Sequence, residues 1–248
     1  MPTIHDATWP QIEGLRASIE ANLEVAPTLV DAADALCAGL ATAYSTVALA
    51  RVFLVVPYKT LPPAEQAVAA ALATTLGRTG DLEPTTPVLS LLATRGVEAA
   101  WTKRESSAGH RAIPLLDARF VEGAPMVAAL LASLRVDLAA LRGDPSVELR
   151  KLAGGLNARF YVPDAQTTLD ARGRHIIAAR DFVSKYRVRS VFGMGGAYMS
   201  GALIVAIVFT TEVLTPAEID RFPSFIGSFK ITTAKLVERN ALFAPSYA

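Results

Sequence analysis

Four apolar residues, Ile12, Leu15, Ile19 and Leu23, recur at three- and four-residue spacing after Trp9-Pro10, which predicts an amphipathic helix that needs cover along one side. Past Ala26-Pro27-Thr28 a second helix runs to about Tyr44, with Leu29, Ala32, Ala33, Leu36, Cys37, Leu40 and Ala41 on one side. Its many small residues suit close packing on a sheet. The helical period then vanishes, and STVALARVFLVVPY, from Ser45 to Tyr58, reads as a strand buried on both faces. Leu61-Pro62-Pro63-Ala64-Glu65 opens an alanine-rich helix that reaches Leu76 and ends at Gly77. After a Thr- and Pro-rich loop, a strand from Val88 to Thr94 is stopped by Gly96.

The stretch from Val97 to His110 is polar and reads as a loop or edge region with Trp101 as its only anchor. A short strand follows at 112–116. From Asp117 a helical stretch, interrupted near Gly123-Ala124-Pro125, continues with Met126, Leu130, Leu134, Val136, Leu138 and Leu141 on one face and Gly143 as its C-cap. Past Gly154-Gly155-Leu156-Asn157 comes a strand at 157–162, a polar loop from Gln166 to His175, and a short helix from Ala178 to Lys185.

The most legible part is next. A strand from Arg187 to Gly193, a turn rich in Gly193, Gly195, Gly196 and Gly201, and an apolar strand from Ala202 to Thr211 predict a central β-hairpin. Thr215 as N-cap, Pro216 at the first helical position and Glu218 in the first turn then open one helix to about Asn240. Its stripe is Phe222, Phe225, Ile226, Phe229, Thr233, Leu236 and Val237. Strands in this order, with helices at both ends and between them, predict an α+β fold. A central, mostly antiparallel sheet of five to six strands is flanked by helices, and the N- and C-terminal helices lie on one face. The expected organisation is a single domain over 1–248: helices at 9–44, a core at 45–211 with an enlarged helical insertion at about 95–150, and a helix at 215–240.

Composition narrows the function classes. At 248 residues and 52% hydrophobic the chain supports a large core, and 24 basic against 23 acidic residues (net +1) supply no field for nucleic acid. Cys37 is the one cysteine, which rules out an internal disulfide and any multi-cysteine metal site and suits a reducing cytoplasm. The N-terminus lacks the basic and apolar regions of a signal peptide. The longest uninterrupted apolar run, Ala202 to Phe209, is 8 residues, against the ~20 needed to span a bilayer as a helix. Neither nucleic acid nor a membrane is therefore an expected partner.

The segments FYVPDA, ARDFVSKY, RSVFGMGGAY and GALIVAIVFT, followed by LTPAEIDRF, resemble the GAF-type sensor segment at the N-terminus of bacterial sensor histidine kinases. The resemblance is strongest over 157–240, moderate over 28–58 and absent over 95–150. It implies a GAF/PAS-like fold, a sensory role in signal transduction, and a partner histidine kinase or other output protein. A ligand cavity in such a fold is bordered by the loop, short helix and strand entrance where Arg172, Arg174, His175, Arg180, Lys185, Arg187 and Arg189 fall. Arginine is suited to bidentate recognition of carboxylate or phosphate. Phe160, Val162, Phe182, Tyr186, Phe192 and Tyr198 are the expected pocket wall, with Asp164 and Ser190 as polar contacts.

Chemistry beyond binding finds little support. Gly193-Met194-Gly195-Gly196 has neither GxGxxG spacing nor the Gly-Lys-Ser/Thr of a P-loop, and it joins two strands. His110 and His175 lack partners at ligand spacing, so no metal, haem or other cofactor is expected. GAF-type enzymes that reduce methionine sulfoxide use several cysteines, and Cys37 lies in an apolar helical stripe. Three readings stay open: a non-enzymatic small-molecule sensor, a docking or dimerisation module with a collapsed cavity, and an enzyme on the same scaffold. A homodimer is expected through Ile12, Leu15, Ile19 and Leu23 together with Phe222, Phe225, Ile226, Phe229 and Leu236, pairing as a four-helix bundle.

Overall fold

The computed structural model describes residues 2–107, 110–136 and 158–243. Strands β1 (Val47–Pro57), β2 (Pro87–Gly96), β3 (Ala112–Pro114), β4 (Ala158–Val162), β5 (Ser190–Ala197) and β6 (Leu203–Thr210) form one sheet. Its order is β3-β2-β1-β6-β5-β4, and every neighbouring pair is antiparallel. The most apolar strands, β1 and β6, therefore hold the centre. Helices α1 (Trp9–Glu24), α2 (Leu29–Ala43) and α8 (Pro223–Glu238) cover one face, burying Val52, Leu54, Phe192, Met194, Ile204 and Val208. The other face, with Leu49, Phe53, Leu89, Val191, Val205 and Ile207, carries α4 (Ala118–Glu122), α5 (Pro125–Ser133) and α6 (Arg180–Lys185). Cover on both faces explains why β1 reads as an apolar run without alternation. Helix α3 (Pro63–Thr75) packs at the β3 edge.

The central hairpin is longer than the sequence predicts. Gly193, Gly195 and Gly196 lie inside β5, and the reversal falls at Tyr198–Ala202, where Gly201 takes a φ of +88° and Tyr198 N donates to Ala202 O at 2.8 Å. The strand glycines serve close packing. A Cβ on Gly195 would stand 2.9 Å from both Ile204 O and Leu134 Cδ2, and one on Gly193 would stand 3.0 Å from Ala206 O. β5 also starts later than Arg187, because Arg187 closes α6 in the left-handed region (φ 52°) while Val188 N donates to Val183 O at 3.0 Å.

The single helix expected over 215–240 is two. The capping box of Thr215 and Glu218 opens α7 (Pro216–Ile219), and Pro223 restarts the chain as α8. The break turns Phe222 inward, between Tyr44 (ring centroids 6.1 Å apart) and Phe192 (5.0 Å).

The stripes assigned to a dimer interface lie elsewhere. Ile12, Ile19, Leu23, Phe222, Phe225, Ile226, Phe229 and Thr233 are buried within the single chain, and Leu15, Leu236 and Val237 pack partly buried against the same cluster. Helix α2 is the reason. It lies beside both terminal helices, and Gly39 admits Ile19 so closely that a Cβ there would meet Ile19 Cγ1 at 2.6 Å. Most of these side chains thus pack inside one chain, and Leu15, Leu236 and Val237 keep part of their surface open.

Two 3-10 turns, Ala99–Trp101 and Arg104–Ser106, organise the polar stretch after β2. Trp101 does anchor it, with ring centroids 5.6 Å from Phe182 and 4.6 Å from Tyr186. Glu65, 2% exposed, anchors it too, taking Arg104 at 3.1 Å and Arg111 at 3.2 Å. Of the expected insertion helix, α5 ends at Ser133, and Leu138, Leu141, Gly143 and Gly154 to Asn157 lie outside the described residues. No helix among the described residues is long and apolar enough to cross a membrane.

Candidate functional site

Arg51 is the one charge in β1, and the register shows where it points. It pairs with Thr94 on β2 and Ile207 on β6, so it shares the face of Leu49 and Phe53, beside a bulge in the β1–β2 pairing between Val52 and Phe53. Above that face opens a cavity of about 520 Å³. Its floor is Leu49, Arg51 and Phe53 of β1, Leu89 of β2, Ile113 of β3, and Ile207 and Phe209 of β6. Its cover comes from residues 123–127 and Leu130 around the start of α5, from Ile176 to Ala179 with Phe182 of α6, and from Trp101 and His110.

Arg51 and His110 are the ionisable residues among those lining it. Arg51 Nη2 donates to Ser107 Oγ at 2.7 Å, and its Nε, like those of Arg95 and Arg189, is buried with no hydrogen-bond partner among the described residues. Burial lowers the guanidinium pKa from its usual value, as expected for a cation leaving water without an anion to meet. Thr94 Oγ1, across the strand pair, is likewise buried with no hydrogen-bond partner among the described residues. His110 is exposed at the rim and takes a left-handed backbone, φ 55°. Enough protein surrounds its ring that desolvation, followed by the Arg51 charge, moves its pKa down and favours the neutral imidazole.

An aromatic group closes one side. Trp101, Phe182 and Tyr186 contact one another, and Phe182 meets Phe209 edge-on at 5.3 Å. Tyr186 donates to Glu98 Oε1 at 2.6 Å, which with Lys185 holds that carboxyl below its usual range.

Of the residues assigned to the pocket, Phe182 lines it and Tyr186 backs it. Phe160 and Val162 are buried on the cavity face but stand away from the opening. Phe192 and Tyr198 face the opposite layer, Phe192 against Phe222 and Tyr198 with its hydroxyl 2.7 Å from Thr233 Oγ1. Ser190 ties the sheet end together, donating to Pro163 O and accepting from Leu214 N, both at 3.0 Å. Asp164 accepts from Gln166 N at 2.8 Å inside its own loop.

The basic segment is a staple. Arg174 grips Asp170 Oδ2 (Nε 2.8 Å, Nη2 2.7 Å) and the carbonyl of Glu122 at 2.7 Å, Arg172 pairs with Glu122, and Arg180 donates to the carbonyls of Ala165 and Gln166. His175 Nδ1 is buried with no hydrogen-bond partner among the described residues. These groups hold the 163–175 loop against α4, and the apolar residues just after it, Ile176 to Ala179, reach the cavity. The correction has a simple cause: arginine suits anions wherever it lies, and here protein carboxylates and carbonyls already meet it. The signal for the cavity was Arg51 itself, a charge inside an otherwise unbroken apolar strand. Cys37 is buried on the opposite layer, and burial pushes its thiol pKa up. Among the described residues no group of three His, Cys, Asp or Glu is placed to hold a metal.

No protein-family model matches the chain, and no curated protein matches it in sequence. Solved structures do resemble it in shape. The GAF domain of a phosphoenolpyruvate-protein phosphotransferase from Coxiella burnetii is 10% identical with a TM-score of 0.49, covering 95% of this chain and 100% of that one. The phycoerythrobilin-bound GAF domain from a cyanobacterial phytochrome is 11% identical with a TM-score of 0.48, covering 92% and 97%. The N-acylhomoserine lactone dependent LuxR family transcription factor CepR2 from Burkholderia cenocepacia is 15% identical with a TM-score of 0.43, covering 94% and 98%. These likenesses carry nothing about ligand or partner. The architecture itself is a six-stranded antiparallel sheet between a layer of terminal helices and a cavity-bearing layer.

Proposed function

We propose that this chain is a non-enzymatic sensory or regulatory domain that binds a small molecule in the cavity over β1 and β6. The observation that carries the reading is the cavity itself. At about 520 Å³ it falls within the ~300–1,000 Å³ typical of small-molecule sites, and its wall is apolar with few polar groups. Among the described residues its lining holds no carboxylate, thiol or aliphatic hydroxyl. It therefore gives His110 no hydroxyl or thiol to activate and no carboxylate partner, which favours binding over catalysis. The open cavity also favours this reading over a docking module with a collapsed one. The finer form is bacterial signal transduction in the cytoplasm, with a histidine kinase or another output protein reading the liganded state. Its support is the resemblance of the 157–240 segments and the single buried cysteine.

Filling the cavity tests the core of the proposal. A library of small amphiphiles is screened by thermal shift against the wild type and against Ala124→Phe, whose new ring enters the lined space. The expected result is a compound that raises the wild-type midpoint and leaves the filled, folded variant unmoved. A library that stabilises neither protein, or both equally, refutes a ligand site here.

A further inference from the structure

We propose that the ligand is an amphiphilic monocarboxylate, a hydrocarbon body carrying one anionic head that pairs with Arg51. This rests on the cavity reading above and adds the class of molecule. The partly buried arginines are not matched alike. Arg78, Arg95, Arg104 and Arg111, also partly buried, each face a carboxylate: Asp117, Asp34, Glu65 and Glu65 again. Arg51 is different. Among the described residues its one hydrogen-bond partner is the Ser107 hydroxyl, and no ion pair includes it, although it lines the cavity.

A guanidinium carries five N–H donors in a planar fork that matches a carboxylate in two parallel bonds. Burying it uncompensated is costly, and hydrocarbon in its place would pack against Leu49, Phe53 and Ile207 without that cost. Among the described residues the charge meets no opposite charge. An anion in the cavity supplies one, because it sets a negative charge against a guanidinium that lines the space.

The rest of the wall sets the remaining features. Apart from Arg51, His110 and the Trp101 indole the lining side chains are apolar, Leu49, Phe53, Leu130 and Ile207 among them, so most further polar groups on the ligand would be buried without a partner. That selects against sugars, nucleotides and free inorganic anions. A single positive charge with no acid in the lining balances one negative charge, so a dianion is disfavoured. His110 at the rim stays neutral beside Arg51 and adds no second charge.

Decanoate and decan-1-ol serve as probes, one charged and one neutral on the same chain. Trp101 lines the cavity and reports binding by its emission in a Trp9→Phe background. The expected result is that decanoate binds the Trp9→Phe protein at least about tenfold more tightly than decanol. Arg51→Met should remove that preference, keep decanol binding, and leave the unliganded melting temperature unchanged or higher. Should Arg51→Met fail to fold, Arg51→Lys keeps the charge but loses the fork, and is expected to weaken decanoate while sparing decanol. Decanoate and decanol binding with equal affinity, or a preference that survives Arg51→Met, overturns the anion and leaves the cavity as a ligand site. Failure of both probes to change Trp101 emission or melting temperature overturns the cavity reading along with it.

Discussion

Truncating Phe229 to alanine asks whether the stripe on the last helix belongs to the chain's own core. The ring is 0% exposed on α8, in the cluster that includes Phe225, Ile226 and Phe192. A buried aromatic side chain removes about 150–250 Å² from water, which at about 25 cal/mol per Å² gives an upper figure of roughly 4–6 kcal/mol. Measured truncations of buried rings cost about 3–5 kcal/mol, and that range is expected here. Set against a total stability of about 5–15 kcal/mol, the loss is large enough for one urea titration to resolve. Circular dichroism would follow unfolding of both proteins at about 1 and 50 μM, since mass action makes the stability of an associated fold depend on concentration. The ring is covered within one chain, so the loss should be the same at both concentrations. A loss under about 1 kcal/mol, or a wild-type midpoint that climbs with concentration and stops climbing in Phe229→Ala, would refute the intramolecular packing and return the stripe to an interface between copies.

Gly195→Ala is expected to cost about 1–3 kcal/mol, because its Cβ meets a backbone oxygen and Leu134 at 2.9 Å, whereas Gly80→Ala, with nothing within 4 Å, stays within about 0.5 kcal/mol; equal costs in denaturant titrations would contradict the close strand packing. Asp170 holds the 163–175 loop by accepting from Arg172 N and Arg174 N, both at 2.9 Å, and backbone donation from Arg174, before its side chain, lowers the carboxyl pKa. A depressed carboxyl contributes stability that is fully present above its ordinary value of about 3.9 and is lost as pH falls through the lower folded value. Wild type should therefore exceed Asp170→Asn in stability at neutral pH, and the gap should close in acid; a gap independent of pH would show that the carboxylate's charge is not what holds the loop.

Local rules carried much of this protein. The period of Ile12, Ile19 and Leu23, the proline and threonine starts at Thr28, Pro63 and Thr215, and the unbroken apolar runs of β1 and β6 each concern residues within a turn or two of one another, and each element formed nearly where those rules put it. Where backbone freedom had two uses, the sequence was ambiguous. Gly193 and Gly195 serve a turn or a close strand contact equally well, and only Ile204 and Leu134 across the packing decided for the strand. A stripe is also silent about what covers it: Phe225, Ile226 and Phe229 needed an apolar partner, and α2 together with the sheet filled that need before a second copy was required. The site shows the same division. Alternation along β5 separates Phe192 from Val191, but which face carries a cavity depends on how α4, α5 and α6 arch over the sheet, a matter of volume between distant segments. The arginines after Asp170 looked like an anion clamp until Asp170 and Glu122 were placed beside them, whereas Arg51, a lone charge in an apolar strand, was visible in the sequence, and only the structure placed it in the wall of a cavity.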